Sequence, residues 1–187
     1  TLAFDAPREL FGGSEFSSDE RFVVLTTASE GLYRHSFYAN FYVYDFESDS
    51  EARPITDFSL GKQRLAQLSP AGDKVAFVRD NNIFISDLAT GAEEQVTDDG
   101  LTNTIINGAT DWVYEEEFGD DQGLFWNADG SRLAYLKFDE SDVREFHMPV
   151  YGSLYPDPYT FKYPKAGEDN SEVSVHIFTL EDNVDLE

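Results

Sequence analysis

Three times along this chain an apolar residue, a tight-turn tetrad and a new apolar run follow one another in the same order. The first copy is Phe16-Ser17-Ser18-Asp19-Glu20-Arg21-Phe22-Val23-Val24-Leu25. The second is Leu68-Ser69-Pro70-Ala71-Gly72-Asp73-Lys74-Val75-Ala76-Phe77, and the third is Trp126-Asn127-Ala128-Asp129-Gly130-Ser131-Arg132-Leu133-Ala134-Tyr135. Ser, Asn, Pro, Asp and Gly between two β-prone runs spell a reversal that joins two antiparallel strands. The copies start at 16, 68 and 126, so they are 52 and 58 residues apart. That spacing is somewhat longer than the roughly 40–50 residues of familiar propeller blades and leaves room for inserted loops.

A second recurring piece follows each turn. Phe41–Asp45, Ile83–Leu88 and Val173–Phe178 are β-rich and mostly alternate, and the first two run into turn-forming Glu47-Ser48-Asp49 and Thr90-Gly91. No stretch sustains the i, i+3, i+4 apolar spacing of a long helix. The expected fold class is therefore all-β: a partial propeller of about three four-stranded blades, at about 10–60, 61–110 and 120–187, rather than a sandwich. Three such units cannot close a ring.

Composition removes whole classes of function. Aromatics make up 15% of the 187 residues, too many for a disordered segment. The formal charge of −24 is repelled by phosphate backbones and anionic lipid, so nucleic acid and membrane surfaces are excluded as partners. Cysteine is absent, which removes disulfides and thiolate metal sites. No run approaches the roughly 20 apolar residues of a membrane span. Thr1 is not a natural start, and Leu186-Glu187 has the look of a cloning scar, so the chain reads as an excised piece of a longer protein.

Asp111-Trp112-Val113-Tyr114-Glu115-Glu116-Glu117-Phe118 interrupts the β pattern. Asp111 suits an N-cap and the glutamates suit a helix start, so one short helix is expected here. Residues on a helix turn through 100° each, so two of the three carboxylates can flank one pocket but not all three. Facing a cavity, that pair repels unless a cation sits between them, and a substrate ammonium would serve. The plainer alternative is a solvated acidic turn. A nucleophile elbow is missing: Gly12-Gly13-Ser14-Glu15-Phe16 comes nearest and lacks the last glycine. His35, His147 and His176 are scattered in β-like stretches and suit surface or packing roles, with His35 placed to orient Arg34. Trp112 and Trp126 suit blade packing rather than a ligand platform, and Tyr114 fits either role. Glu145–Lys165 is rich in proline and aromatics and reads as a long ordered loop or an interface.

These residues carry a family resemblance. Asp111–Glu117 resembles the double-glutamate motif of the dipeptidyl peptidase IV family, and Tyr33-Arg34-His35-Ser36 resembles its Trp-Arg-His-Ser segment. Tyr163-Pro164-Lys165-Ala166-Gly167 matches a further motif, and Ile106-Asn107-Gly108-Ala109-Thr110 resembles the run before the glutamates. Order and spacing agree from about Leu10 to Leu180. The resemblance implies a bacterial parent enzyme with an eight-bladed propeller and an α/β-hydrolase domain, the latter holding a Ser-Asp-His triad absent from this chain. It implies release of dipeptides with Pro or Ala second, with no cofactor and no metal. Glu116 and Glu117 would hold the substrate's α-ammonium and Arg34 a substrate carbonyl, while Glu115 would point elsewhere as a solvated residue. The resemblance further implies a homodimer with 145–165 as a contributing arm, and a periplasmic or secreted location. With no cysteine, unlike some members, these blades would hold by packing alone. The rival from another class is a non-catalytic propeller that docks a protein partner through its acidic helix.

Overall fold

The structure, a computed structural model, describes residues 13–48, 51–152, 154–181 and 184–187. Gly12, Leu10 and Asp49, which figure in the sequence reading, lie outside them. Nearly every element is a strand. A first antiparallel sheet contains β1 (Gly13–Phe16), β2 (Phe22–Gly31), β3 (Phe37–Asp45) and β4 (Arg53–Pro54), hydrogen-bonded in chain order. A second contains β5 (Arg64–Leu68), β6 (Lys74–Arg79), β7 (Asn82–Asp87) and β8 (Glu93–Gln95), again in chain order.

The third sheet is less regular. It uses β9 (Ile105–Asn107), β10 (Leu124–Trp126) and β11 (Arg132–Asp139), then leaves for a separate hairpin of β12 (Glu145–Val150) and β13 (Asp157–Lys162), and resumes with β14 (Glu172–Thr179) and β15 (Val184–Leu186). β9 and β10 share one edge of β11, β9 opposite Lys137–Asp139 and β10 opposite Leu133–Tyr135. The segment expected as a long loop at 145–165 is thus mostly a hairpin, because its aromatics alternate and can pair.

The three repeated turns have one geometry. The amides of Ser17, Ser69 and Asn127 donate to the carbonyls of Phe22, Lys74 and Arg132 at 2.9, 2.8 and 3.0 Å. Their own carbonyls accept from Glu20, Gly72 and Gly130. That third residue is left-handed each time, with φ of 58°, 72° and 72°. Glycine adopts this conformation freely, whereas Glu20 holds it against the Cβ clash.

Strand alternation explains how the sheets stack. In β5, β6 and β7, Leu68, Val75, Phe77 and Phe84 turn to the first sheet and join Val24, Phe41 and Val43. Ala76, Val78, Ile83 and Ile85 turn to the third sheet and join Leu124, Leu133, Tyr135 and Phe178. The second sheet is therefore buried on both faces, with Trp126 Nε1 donating to the Gln67 carbonyl across the second seam at 3.3 Å. On β14, Val173, Val175 and Ile177 share the outer face and are exposed. The result is an incomplete propeller of face-stacked antiparallel sheets, with no closed ring among the described residues. No described helix is long and apolar enough to cross a membrane.

Candidate functional site

The acidic segment is placed by a glycine. After β9, Gly108 has φ of 76°, and a Cβ there would lie 2.8 Å from Ile83 Cγ1 of the second sheet. Only glycine lets the backbone approach so closely. Asp111 then caps the turn as expected: its Oδ1 accepts the Tyr114 amide at 3.0 Å, while its Oδ2 accepts the Ser171 hydroxyl at 2.6 Å. Tyr114–Phe118 forms a wide, π-type turn closed by left-handed Gly119, whose amide donates to the Glu115 carbonyl at 3.1 Å. Such wide turns are uncommon and recur at functional sites. The Tyr114 ring packs edge-on against Phe138 and Phe118.

The three glutamates have three different environments. Glu115 is fully buried, and its Oε1 accepts the amides of His35 at 2.6 Å and Ser36 at 2.9 Å. Burial alone would raise this carboxyl. The contacts from Ser36 and from the His35 amide, with the Arg64 charge behind them, outweigh it and hold the group below its ordinary value. The expectation of a solvated Glu115 is therefore wrong: the wide turn rotates this residue inward, where backbone amides of the first sheet meet it. Glu116 pairs with Arg34, Nε to Oε2 at 3.0 Å; its side chain is 15% exposed and that of Arg34 68%. Glu117 is exposed. The structure thus brings Arg34 and Glu116 together, with Glu117 next in the chain and outside that pair among the described contacts.

Arg34 sits in the bend between β2 and β3, which closes through the Leu32 amide on the Ser36 carbonyl at 2.9 Å. His35 lies in the same bend rather than in a strand. Tyr33 turns inward, where burial raises its hydroxyl pKa, and its ring stands 6.0 Å from that of Phe161. Phe161 and Tyr163 in turn meet Trp112, the latter at 4.5 Å between ring centres. The aromatic hairpin is thereby seated on the helical segment, leaving a hollow lined by Leu32, Tyr33, Trp112, Glu116, Phe146 and Lys165.

Arg64, which the sequence reading passed over, is 3% exposed, and its Nε and Nη2 have no hydrogen-bond partner among the described residues. Simple alternation did not foretell its burial, because Leu65 is left-handed with φ of 54° and the β5–β6 register shifts between Arg64 and Gln67. Its charge acts on Glu115. His147 Nδ1 lies 2.8 Å from the Thr160 hydroxyl and His176 stacks on Tyr135, roles of packing and pairing. Among the described residues no cluster of three or more His, Cys, Asp or Glu could hold a metal ion.

Comparison with known proteins adds the family. The family described as the dipeptidyl peptidase IV N-terminal region matches residues 17–186. The chain belongs to this family. Among curated members, it is 37% identical to dipeptidyl aminopeptidase B of Saccharomyces cerevisiae in an alignment 172 residues long that covers 89% of this chain and 20% of that protein. It is 35% identical to dipeptidyl peptidase 4 of Trichophyton tonsurans, over 88% of this chain and 22% of that one. The crystal structure of Porphyromonas gingivalis dipeptidyl peptidase 4 superposes with a TM-score of 0.91 at 45% identity, covering 97% of this chain and 26% of that one. The chain therefore spans about one fifth to one quarter of these relatives, from both bacteria and fungi.

Proposed function

We propose that this chain is the part of a serine-type dipeptidyl peptidase that grips the free N-terminus of a peptide substrate, and that the parent enzyme releases X-Pro and X-Ala dipeptides. Glu116 and Glu117 would hold the α-ammonium, and Arg34 a substrate carbonyl. The observation that carries this reading is the Arg34–Glu116 pair, in which an exposed guanidinium is held against a partly shielded carboxylate beside a second, exposed one. A pair of carboxylates facing one cation is a charge-assisted arrangement. Anchoring the N-terminus lets one peptide bond alone reach a nucleophile supplied elsewhere in the parent, so the segment contributes proximity rather than bond chemistry.

Two further points belong to the same reading. The hairpin tip exposes Tyr151, Leu154 and Tyr155, an apolar projection suited to contact between two copies of the parent. The strongly acidic surface suits a secreted or envelope location. The test of the anchor uses the full-length enzyme with a free and an N-acetylated dipeptidyl reporter. The free peptide should be cleaved and the acetylated one left nearly intact, because acetylation removes the charge that the carboxylates hold. Equal cleavage of both would overturn the anchor.

A further inference from the structure

We infer that Glu115 is a positioning residue for Arg34: its buried carboxylate fastens the backbone of the Arg34 bend so that the guanidinium faces Glu116 and the substrate. The inference rests on the anchor reading given above. Two consecutive carboxylates on one wide turn grip one bend of the first sheet. Glu116 takes the Arg34 side chain, and Glu115 takes the amides of the two residues that follow it, His35 at 2.6 Å and Ser36 at 2.9 Å. These contacts join positions 79 and 80 residues apart in sequence, so no local propensity of the bend can replace them.

The two grips differ in strength. Arg34 is a long side chain, 68% exposed, and an ion pair of that kind is screened and holds little by itself. Glu115 is fully excluded from solvent, and a carboxylate that accepts two amides in such surroundings makes short, charge-assisted bonds. Removing it would leave two amides without their acceptor, and the bend would be free to relax. Arg64 behind it, itself 3% exposed, supplies a positive charge that helps Glu115 remain ionised while buried. The bend, not the guanidinium, is what Glu115 fixes, so its effect on a substrate should run through Arg34.

The experiment measures kcat, KM and the unfolding midpoint of the full-length enzyme with a Gly-Pro chromogenic reporter. The variants are Arg34→Ala, Glu116→Ala, Glu115→Ala, Glu115→Gln and the double variant Arg34→Ala/Glu115→Ala. Glu115→Ala should lower kcat/KM by more than about tenfold, mainly through KM, although the residue is expected to touch no substrate. Glu115→Gln keeps an oxygen that both amides can reach and should recover much of that loss. In the Arg34→Ala background, removing Glu115 should cost less than about threefold more, because residues acting through one group do not add. If Glu115→Ala does not fold, Glu115→Asp replaces it: the charge remains, one methylene short of the amides, and the same ordering against Gln is expected. Losses at Arg34 and Glu115 that multiply, or no loss at Glu115 while Arg34→Ala and Glu116→Ala are impaired, would overturn the inference and leave the anchor standing. No loss at Arg34 and Glu116 would overturn both.

Discussion

The second sheet and the third are built from the same turn motif and differ in how they treat charge. In the second, residues 64–95 pass through four strands with short connections and bury both faces. Its Arg79–Glu93 ion pair at 2.6 Å, with side chains 8% and 23% exposed, joins β6 to β8 of the same sheet, and the Thr56 hydroxyl after β4 also accepts from Arg79 at 3.0 Å. In the third, the chain leaves the strand pattern twice, for the acidic turn after β9 and for the hairpin after β11. The two departures lean on each other through Trp112 and Tyr163. One of their buried carboxylates, Glu115, finds its hydrogen bonds not in its own sheet but in the bend between β2 and β3 of the first, where its Oε1 accepts two amides while its Oε2 has no partner among the described residues. Regular blades thus supply the frame, and the irregular parts, answered from another sheet, present exposed charge.

Stability and activity should separate along that line. Phe77→Ala in the second sheet removes a fully buried ring stacked on Phe84 at 5.7 Å. It should lower unfolding stability by about 3–5 kcal/mol, read as a denaturant midpoint. A loss below about 1 kcal/mol would mean that this sheet is not the frame.

Glu116→Ala and Glu117→Ala in the full-length enzyme should behave in the opposite way. Loss of one partner of a substrate ammonium costs on the order of 2–5 kcal/mol, so kcat/KM should fall by roughly 30- to 4,000-fold. The unfolding midpoint should hardly move, since Glu117 is exposed and the Arg34 pair is screened. A fall in midpoint matching that of Phe77→Ala would erase the distinction.

The smallest effect expected is a pH slope from the irregular part. Glu140 follows β11, is 6% exposed, and has its pKa pushed up to about 7 by burial and then by the neighbouring Asp111 charge, with Lys162 opposing. The folded chain therefore holds this proton where the unfolded chain has already lost it. The stability linked to it is fully present below about 4.5 and is lost as pH rises through about 7. The loss should be on the order of 1–3 kcal/mol. Glu140→Gln should flatten the slope between those values, as measured by unfolding midpoints across pH. An unchanged slope would assign it to other groups.

Much of the frame was legible without coordinates. The three turn tetrads mark strand ends that the structure reproduces at Phe16 and Phe22, Leu68 and Lys74, Trp126 and Arg132. Those ends are encoded locally, by turn residues and by alternation with a period of two. Alternation did not say which faces would be covered, so the exposed Val173, Val175 and Ile177 look the same in sequence as the buried positions of β6.

The acidic turn marks the boundary most sharply. By itself the sequence determined that Asp111 would cap it and that Glu115, Glu116 and Glu117 could not all face one way, since both follow from bonds and angles within a few residues. Which glutamate turned inward was decided only by the tertiary structure. That choice depends on two amides 79 and 80 residues away, on the positive charge of Arg64 and on a turn of π rather than α pitch. A carboxylate is buried where partners wait for it, and its own stretch of chain contains no record of them.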